Sequence, residues 1–407
     1  MLRHFVILFS LFSILFLGAI NIGPISIRNL CVIGFAIFLL FSENKVSMEV
    51  CGKLYVLYLM VLLLSNIVNG QIDDLVFLKN FLTNHITSLV LLLTLPVVVK
   101  SIKDIRMLIG FVIIIQILNC VVSILQFYNI PIGWNLGLAV NPGAISLINQ
   151  AEYYLASSDN LLSRSLVFGI TSFVVANGYY LTVFLPIVSH NLLRDNNDYK
   201  RMFFSFFMLV LSGIAVFMVQ QRMAFFLLLC YCLLVVYMQV HKSILYKLVI
   251  LFLFILIASF WSTPIDYDPG RLTLDNITSD SRMNQITNFL NFLNSDDFIW
   301  GANLNDTALL YSMGHNTLMD ALRRGGFISL IFYIPLFCIV LYRCAYILFI
   351  AYRNDLHCSF VLSVSCLIFM IYSFSHSTGL QSGAVLFWFV YALLISAWKY
   401  EKDSLSY

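Results

Sequence analysis

Two arginines and one histidine stand where chemistry could be done on a charged, membrane-borne substrate: Arg222, Arg282 and His315. Arg222 lies in "VFMVQQRMAFFLLL", where Gln220, Gln221, Arg222 and Met223 must turn the chain between two apolar runs with almost no loop. A guanidinium held at lipid depth is costly unless it is paired or snorkels to the headgroups. Arg282 lies in "SDSRMNQITNFLNFLNSDDFIWG", whose spacing predicts an amphipathic helix capped by Ser279 or Asp280. Ile286, Phe289 and Leu293 make its apolar stripe, and Arg282 falls on that stripe one turn before Ile286. It therefore needs an anionic partner, either a carboxylate such as Asp280 or Asp306, or a ligand.

His315 opens the third stretch, "HNTLMDALRRGGFISL". Read as a helix, it places Leu318, Met319 and Leu322 on the histidine's own face and pairs Asp320 with Arg324 on the opposite, surface face. Gly325-Gly326 then ends the helix and turns the chain into the next apolar run. The bland readings are a snorkelling Arg222, an Arg282 anchored at the interface, and a His315 hydrogen-bonded inside packing. The sharper reading joins the three. A guanidinium grips phosphate with a planar fork and keeps its charge at any pH. A neutral imidazole can take a proton from a hydroxyl near neutral pH. The set suits a transfer in which a lipid-linked diphosphate leaves while a sugar hydroxyl attacks, with arginines rather than a metal stabilising the departing charge. No Asp-x-Asp cluster lies in the first outer loop, "NIGPISIRN", and the nine cysteines show no metal-ligand spacing. No cofactor is implied.

These residues must be held by membrane helices. Hydrophobic residues make up 61% of the chain and charged ones 11%, with a mean hydropathy of +0.92. No soluble domain needs so much apolar surface. Apolar runs long enough for one crossing, roughly 20 residues each, lie near 5–21, 25–42, 54–69, 82–99, 107–127, 165–189, 202–219, 223–240, 244–261, 327–350, 358–373 and 379–398. They predict an all-α polytopic membrane protein of about twelve spans, since a backbone in lipid must satisfy its own hydrogen bonds. Pro96, Pro186 and Pro335 are expected to kink their helices. One integral membrane domain, 1–407, then carries two long outer loops, 128–164 and 262–326, the second between the ninth and tenth spans.

With the N-terminus inside, the inner segments hold most of the lysines and arginines, as the positive-inside rule requires, and both termini are cytoplasmic. The outer cations are Arg28, Lys79, Arg164, Arg222, Arg271, Arg282, Arg323 and Arg324. All but one are arginine, which favours cations chosen for shape as well as charge. The net charge of +3 carries no sign of a nucleic-acid partner.

The order of these features is a short Arg222-Met223-Ala224 turn, a long outer loop with an arginine opening a helix, and then His315-Asn316 with spaced leucines and glycines before a span. In this it resembles the O-antigen polymerase and ligase superfamily of bacterial inner-membrane glycosyltransferases, over roughly residues 200–350. Members show Arg-Ala or Arg-Gly-Ala at the turn and Gly-x-x-Gly before the span. Here a methionine intervenes at the turn and Gly325 and Gly326 are adjacent. The resemblance implies metal-independent, inverting transfer from an undecaprenyl-diphosphate-linked oligosaccharide on the periplasmic face. Arg222 and Arg282 would hold the diphosphate and His315 would act as base, with Arg323, Arg324, Arg164 and His376 as further candidates. It also admits a chain-length regulator protein as partner.

A polymerase joins one lipid-linked repeat unit to another, whereas a ligase transfers the glycan to the lipid A core. The aromatic and amide-rich "GWNLGLAVNPG" and "FIWGANLNDTALLY" favour glycan recognition and the polymerase. A flippase or secondary transporter is the alternative of another class. Such folds usually carry internal repeats and short loops, whereas this sequence shows no repeat, few mid-span charges and one dominant outer loop.

Overall fold

The computed structural model describes residues 2–17, 20–22, 25–41, 49–70, 81–142, 167–171, 174–193, 198–219, 221–239, 247–253, 255, 288–295, 297–302, 317–374 and 384–403. Their fold is helical apart from one two-residue antiparallel pairing, β1 (Asn21–Ile22) with β2 (Ile25–Ser26). In chain order the main helices are α1 (Leu2–Phe16), α2 (Ile27–Phe41), α3 (Val50–Val68), α4 (Phe81–Val98), α5 (Ile102–Phe127) and α6 (Pro131–Val140). They continue as α7 (Val174–Val188), α8 (Tyr199–Val219), α9 (Arg222–Met238), α10 (Thr317–Arg353), α11 (His357–Ser373) and α12 (Val385–Asp403). Among the described residues α3, α4, α5, α8 and α10 are long and apolar enough to cross a membrane, and several shorter helices are as apolar.

The distribution of polar residues fits such a setting. On α5 Ile114 is 68% exposed whereas Gln116 is fully buried, and Asn119, Ser123 and Gln126 are buried with it. A helix in water would show the reverse, with its polar face outward. Turning amides inward and aliphatic side chains outward is the economical choice only where the surroundings are apolar.

Contacts between helix ends fall into two groups, at opposite ends of the bundle. At the termini end, Ser101 Oγ accepts from the backbone N–H of Asp104, whose carboxylate accepts from Lys100 N–H (2.9 Å), which caps α5. His4 reaches the same carboxylate at 3.2 Å. Glu401 of α12 accepts from the N–H groups of Cys358 and Ser359 (2.9 and 2.8 Å), capping α11 across the bundle. Arg343 of α10 pairs with Glu49, just before α3. The opposite face, the loop end, carries the long connections.

Several expectations need correction. In the apolar run 165–189, residues 167–171 form a buried turn and the described helix begins at Val174. Within the stretch 128–164, Pro131, set at the first helical position, starts α6. The break in α10 falls at Gly326 (φ 63°), whereas the helix runs on through Pro335. Glycine reaches that backbone conformation without strain, so it, rather than the missing proline N–H, sets the elbow.

Candidate functional site

The loop end is organised around the α10 elbow. Asp320 is fully buried, and its two oxygens are bound by Arg323 Nη2 (2.5 Å) and Arg324 Nε (2.9 Å). The Asp320–Arg324 pair expected on the surface therefore forms, but inside the protein. Tyr58 and His85 both lie within electrostatic reach of Asp320 and Arg324. The Tyr58 ring lies tilted against Tyr333 at 5.4 Å, and the Tyr333 hydroxyl bonds the Thr317 hydroxyl in the first turn of α10. His85 sits in a π-type turn at the start of α4 with its Nδ1 buried and without a partner.

The elbow is locked by backbone as well as charge. Ser65 at the end of α3 donates to the carbonyls of Trp300 and Arg324, and Asn69 donates to Gly301 (3.0 Å). Ala302 N–H donates to Arg323 C=O at 2.8 Å. Gly301 has φ 91°, and a Cβ there would lie 2.7 Å from the Arg323 carbonyl oxygen. A Cβ at Gly326 would overlap the Ile299 carbonyl. The paired glycines thus let the short helix Asp297–Trp300 press directly on the elbow. Helical residues 288–293 add Phe292, which is buried with Ala302 and Leu322. The apolar stripe expected here is rotated: Phe289 packs partly, Phe292 is 1% exposed, and Leu293 faces outward at 36%.

A second corner forms where α9 begins. Gln221 precedes its first turn, and its side-chain oxygen accepts from the Tyr372 hydroxyl at 2.6 Å. Tyr372 lies 5.9 Å from Tyr179, whose ring meets Tyr180 edge-on at 4.9 Å. Arg28, in the first turn of α2, has Tyr180 and Tyr179 as its electrostatic neighbours. Its Nε is sealed from solvent and has no hydrogen-bond partner among the described residues. A buried guanidinium nitrogen without an acceptor costs free energy that a bound anion would recover.

Between the corners, an amide network holds the buried turn. Gln126 accepts from the N–H groups of Phe168 and Gly169 (3.1 and 2.8 Å) and donates to the Gly169 carbonyl (3.1 Å). Asn119 accepts from Ile170 N–H and donates to Asn177, which in turn donates to Ser123 and to Val167 C=O. Gly169 takes φ 59°, and any side chain there would overlap the Asn119 oxygen. Non-helical backbone deep in an apolar bundle is tolerated only when it is satisfied in this way. The turn is thereby fixed against α6, where Trp134 meets Phe168 at 5.8 Å.

His315, Arg282, Arg164 and His376 lie outside the described residues. Arg222 is described by its backbone alone, as the first residue of α9. Arg323 and Arg324 are brought together on Asp320. Sequence reading passed over Arg28, His85 and the α5 amides. The signal for the last was present, since Gln116, Asn119, Ser123 and Gln126 recur on one face of an otherwise apolar helix. Among the described residues no three His, Cys, Asp or Glu side chains gather as a metal site. No protein-family model and no curated protein matches the chain.

Proposed function

We propose that this chain is a bacterial inner-membrane polysaccharide polymerase of the O-antigen type. In this reading it crosses the bilayer about twelve times, with both termini cytoplasmic and the loop end periplasmic. It joins undecaprenyl-diphosphate-linked repeat units by metal-independent, inverting glycosyl transfer. His315 takes the proton of the acceptor hydroxyl, while Arg222 and Arg282 hold the departing diphosphate.

The observation that carries the reading is the orphaned Arg28 nitrogen. It belongs to a half-buried guanidinium at the loop end, linked through the tyrosines to the corner where Arg222 starts α9. A diphosphate is the kind of acceptor that such a group lacks. Arg28 therefore joins Arg222 and Arg282 as a third diphosphate ligand. Arg323 and Arg324, already bound to Asp320, act by holding the elbow in shape.

The test is complementation of a host lacking the gene, read from the lipopolysaccharide ladder on a gel. Wild type should restore the ladder, and His315→Ala, Arg222→Ala and Arg28→Ala should leave core plus a single repeat unit. Core without any repeat, with polymer accumulating on the carrier lipid, would assign the ligase instead. A ladder unaffected by loss of the gene would remove both.

A further inference from the structure

At the termini end, far from the corners just described, a cavity of about 770 Å³ opens between α5, the His190–Leu193 turn, α8, α11 and α12. Its size suits one ligand of moderate length. Its lining is graded. Arg106 and Arg201 stand at the rim with His190 and His357, whose rings lie 5.4 Å apart. Deeper along α5 the same face presents Ile109, Gly110 and Ile113, and along α11 it presents Val361. These positions follow Arg106 at helical spacing, so the cavity runs about 10 Å along α5 from a cationic rim to an apolar floor.

Two acids, Glu401 and Asp355, also line it. The Glu401 carboxylate is turned onto the start of α11, where it accepts from two backbone N–H groups and from Ser359 Oγ at 2.6 Å. Asp355 is itself engaged. Arg201 shares only its Nε with Asp198, at 3.0 Å. The floor is open where it would have to be: a Cβ added at Gly110 meets nothing within 4 Å.

We propose that this cavity binds an anionic glycerophospholipid of the surrounding leaflet. The phosphate sits between Arg106 and Arg201, and an acyl chain lies over Gly110 along α5. A soluble anion would make no use of the apolar floor, and a neutral lipid would make no use of the arginines. Basic pockets between membrane helices recognise lipid headgroups in this manner, each cation adding about fivefold to affinity. The site is independent of the glycosyltransferase reading.

The test uses the full-length protein, delipidated and returned to nanodiscs of defined composition, with retained lipid counted by native mass spectrometry. One phosphatidylglycerol per chain should survive, in preference to phosphatidylcholine. Arg106→Gln with Arg201→Gln should weaken retention by about 25-fold. Gly110→Leu, whose Cβ has open space and whose side chain enters the floor, should abolish retention and leave the unfolding temperature and the polysaccharide ladder unchanged. Equal retention of the two lipids would overturn the proposal. So would undiminished phosphatidylglycerol in the Gly110→Leu protein, or full protection against unfolding by inorganic phosphate alone, which would mark the pocket as one for a soluble anion.

Discussion

At the α10 elbow two arginines share one buried carboxylate, while at the start of α2 a single arginine keeps a sealed nitrogen with no acceptor among the described residues. Both regions lie at the loop end, and both are built from the same residue type. The difference is in the partner. Charges closed onto one another stabilise a shape, whereas on the proposed function a charge left open is a place for the diphosphate. Residue type does not separate structural cations from functional ones; hydrogen-bond bookkeeping does.

The largest effect should come from opening the closed set. Asp320→Ala leaves two guanidiniums without their carboxylate and should destabilise the protein by about 3–5 kcal/mol, read as loss of folded yield and a lower unfolding temperature in detergent. A near-normal unfolding temperature would mean that the elbow is held by the Ser65 and Asn69 contacts alone. Gly326→Ala comes next. Its positive φ and the overlap with the Ile299 carbonyl should cost about 2–3 kcal/mol, with new protease sensitivity near residue 300. Gln126→Leu leaves the Phe168 and Gly169 N–H groups unsatisfied and should cost about 1–3 kcal/mol, visible in the same melts.

The open arginine should behave in the opposite way. Arg28→Met should leave the unfolding temperature unchanged or slightly higher while lowering polymer formation about tenfold or more. A fall in stability as large as that of Asp320→Ala would place Arg28 with the closed set and erase the contrast. The smallest effect is one of pH. Burial, with Arg201 nearby, lowers the His190 pKa below its usual 6.5, against the pull of the Ile187 carbonyl. The folded protein thus prefers a neutral imidazole, while the unfolded chain takes up a proton first as pH falls. Stability should therefore be full above about pH 6.5 and decline below it, and His190→Gln should flatten that decline in melts taken from pH 7.5 to 5. His357, Arg106 and Arg201 face the same cavity and would oppose a second positive charge there.

The apolar runs marked the helices of this bundle well, because run length and helical hydrogen bonding leave a chain in lipid few choices. Boundaries failed where tertiary partners replaced helical ones. The residues after 165 are as apolar as any span, yet 167–171 leave the helix because Gln126 and Asn119 supply the acceptors that a helix would have supplied. Asp320 was assigned to the surface because i,i+4 pairing is the same inside or out; only the packing of α3 and the Asp297–Trp300 helix around it decides. The elbow glycines were legible as a turn, but their close contact with Ile299 and Arg323 was not, since it joins segments with no shared periodicity. Arg28 was counted among the outer charges and passed over, because nothing local to "ISIRN" shows that its neighbours will be tyrosines far along the chain.

The polar tip of α3 has a consequence for biogenesis. Ser65 finds its acceptors at Trp300 and Arg324, separations of 235 and 259 residues. At synthesis rates of about 5–20 residues per second, the two donors at the end of α3 wait on the order of 10–50 seconds for their acceptors to be made. During that interval the tip must rest at the headgroup layer or against an insertion factor. An early stretch of this face is thus satisfied late, and weakening Ser65 or Asn69 should show first as slow maturation and only afterwards as a less stable protein.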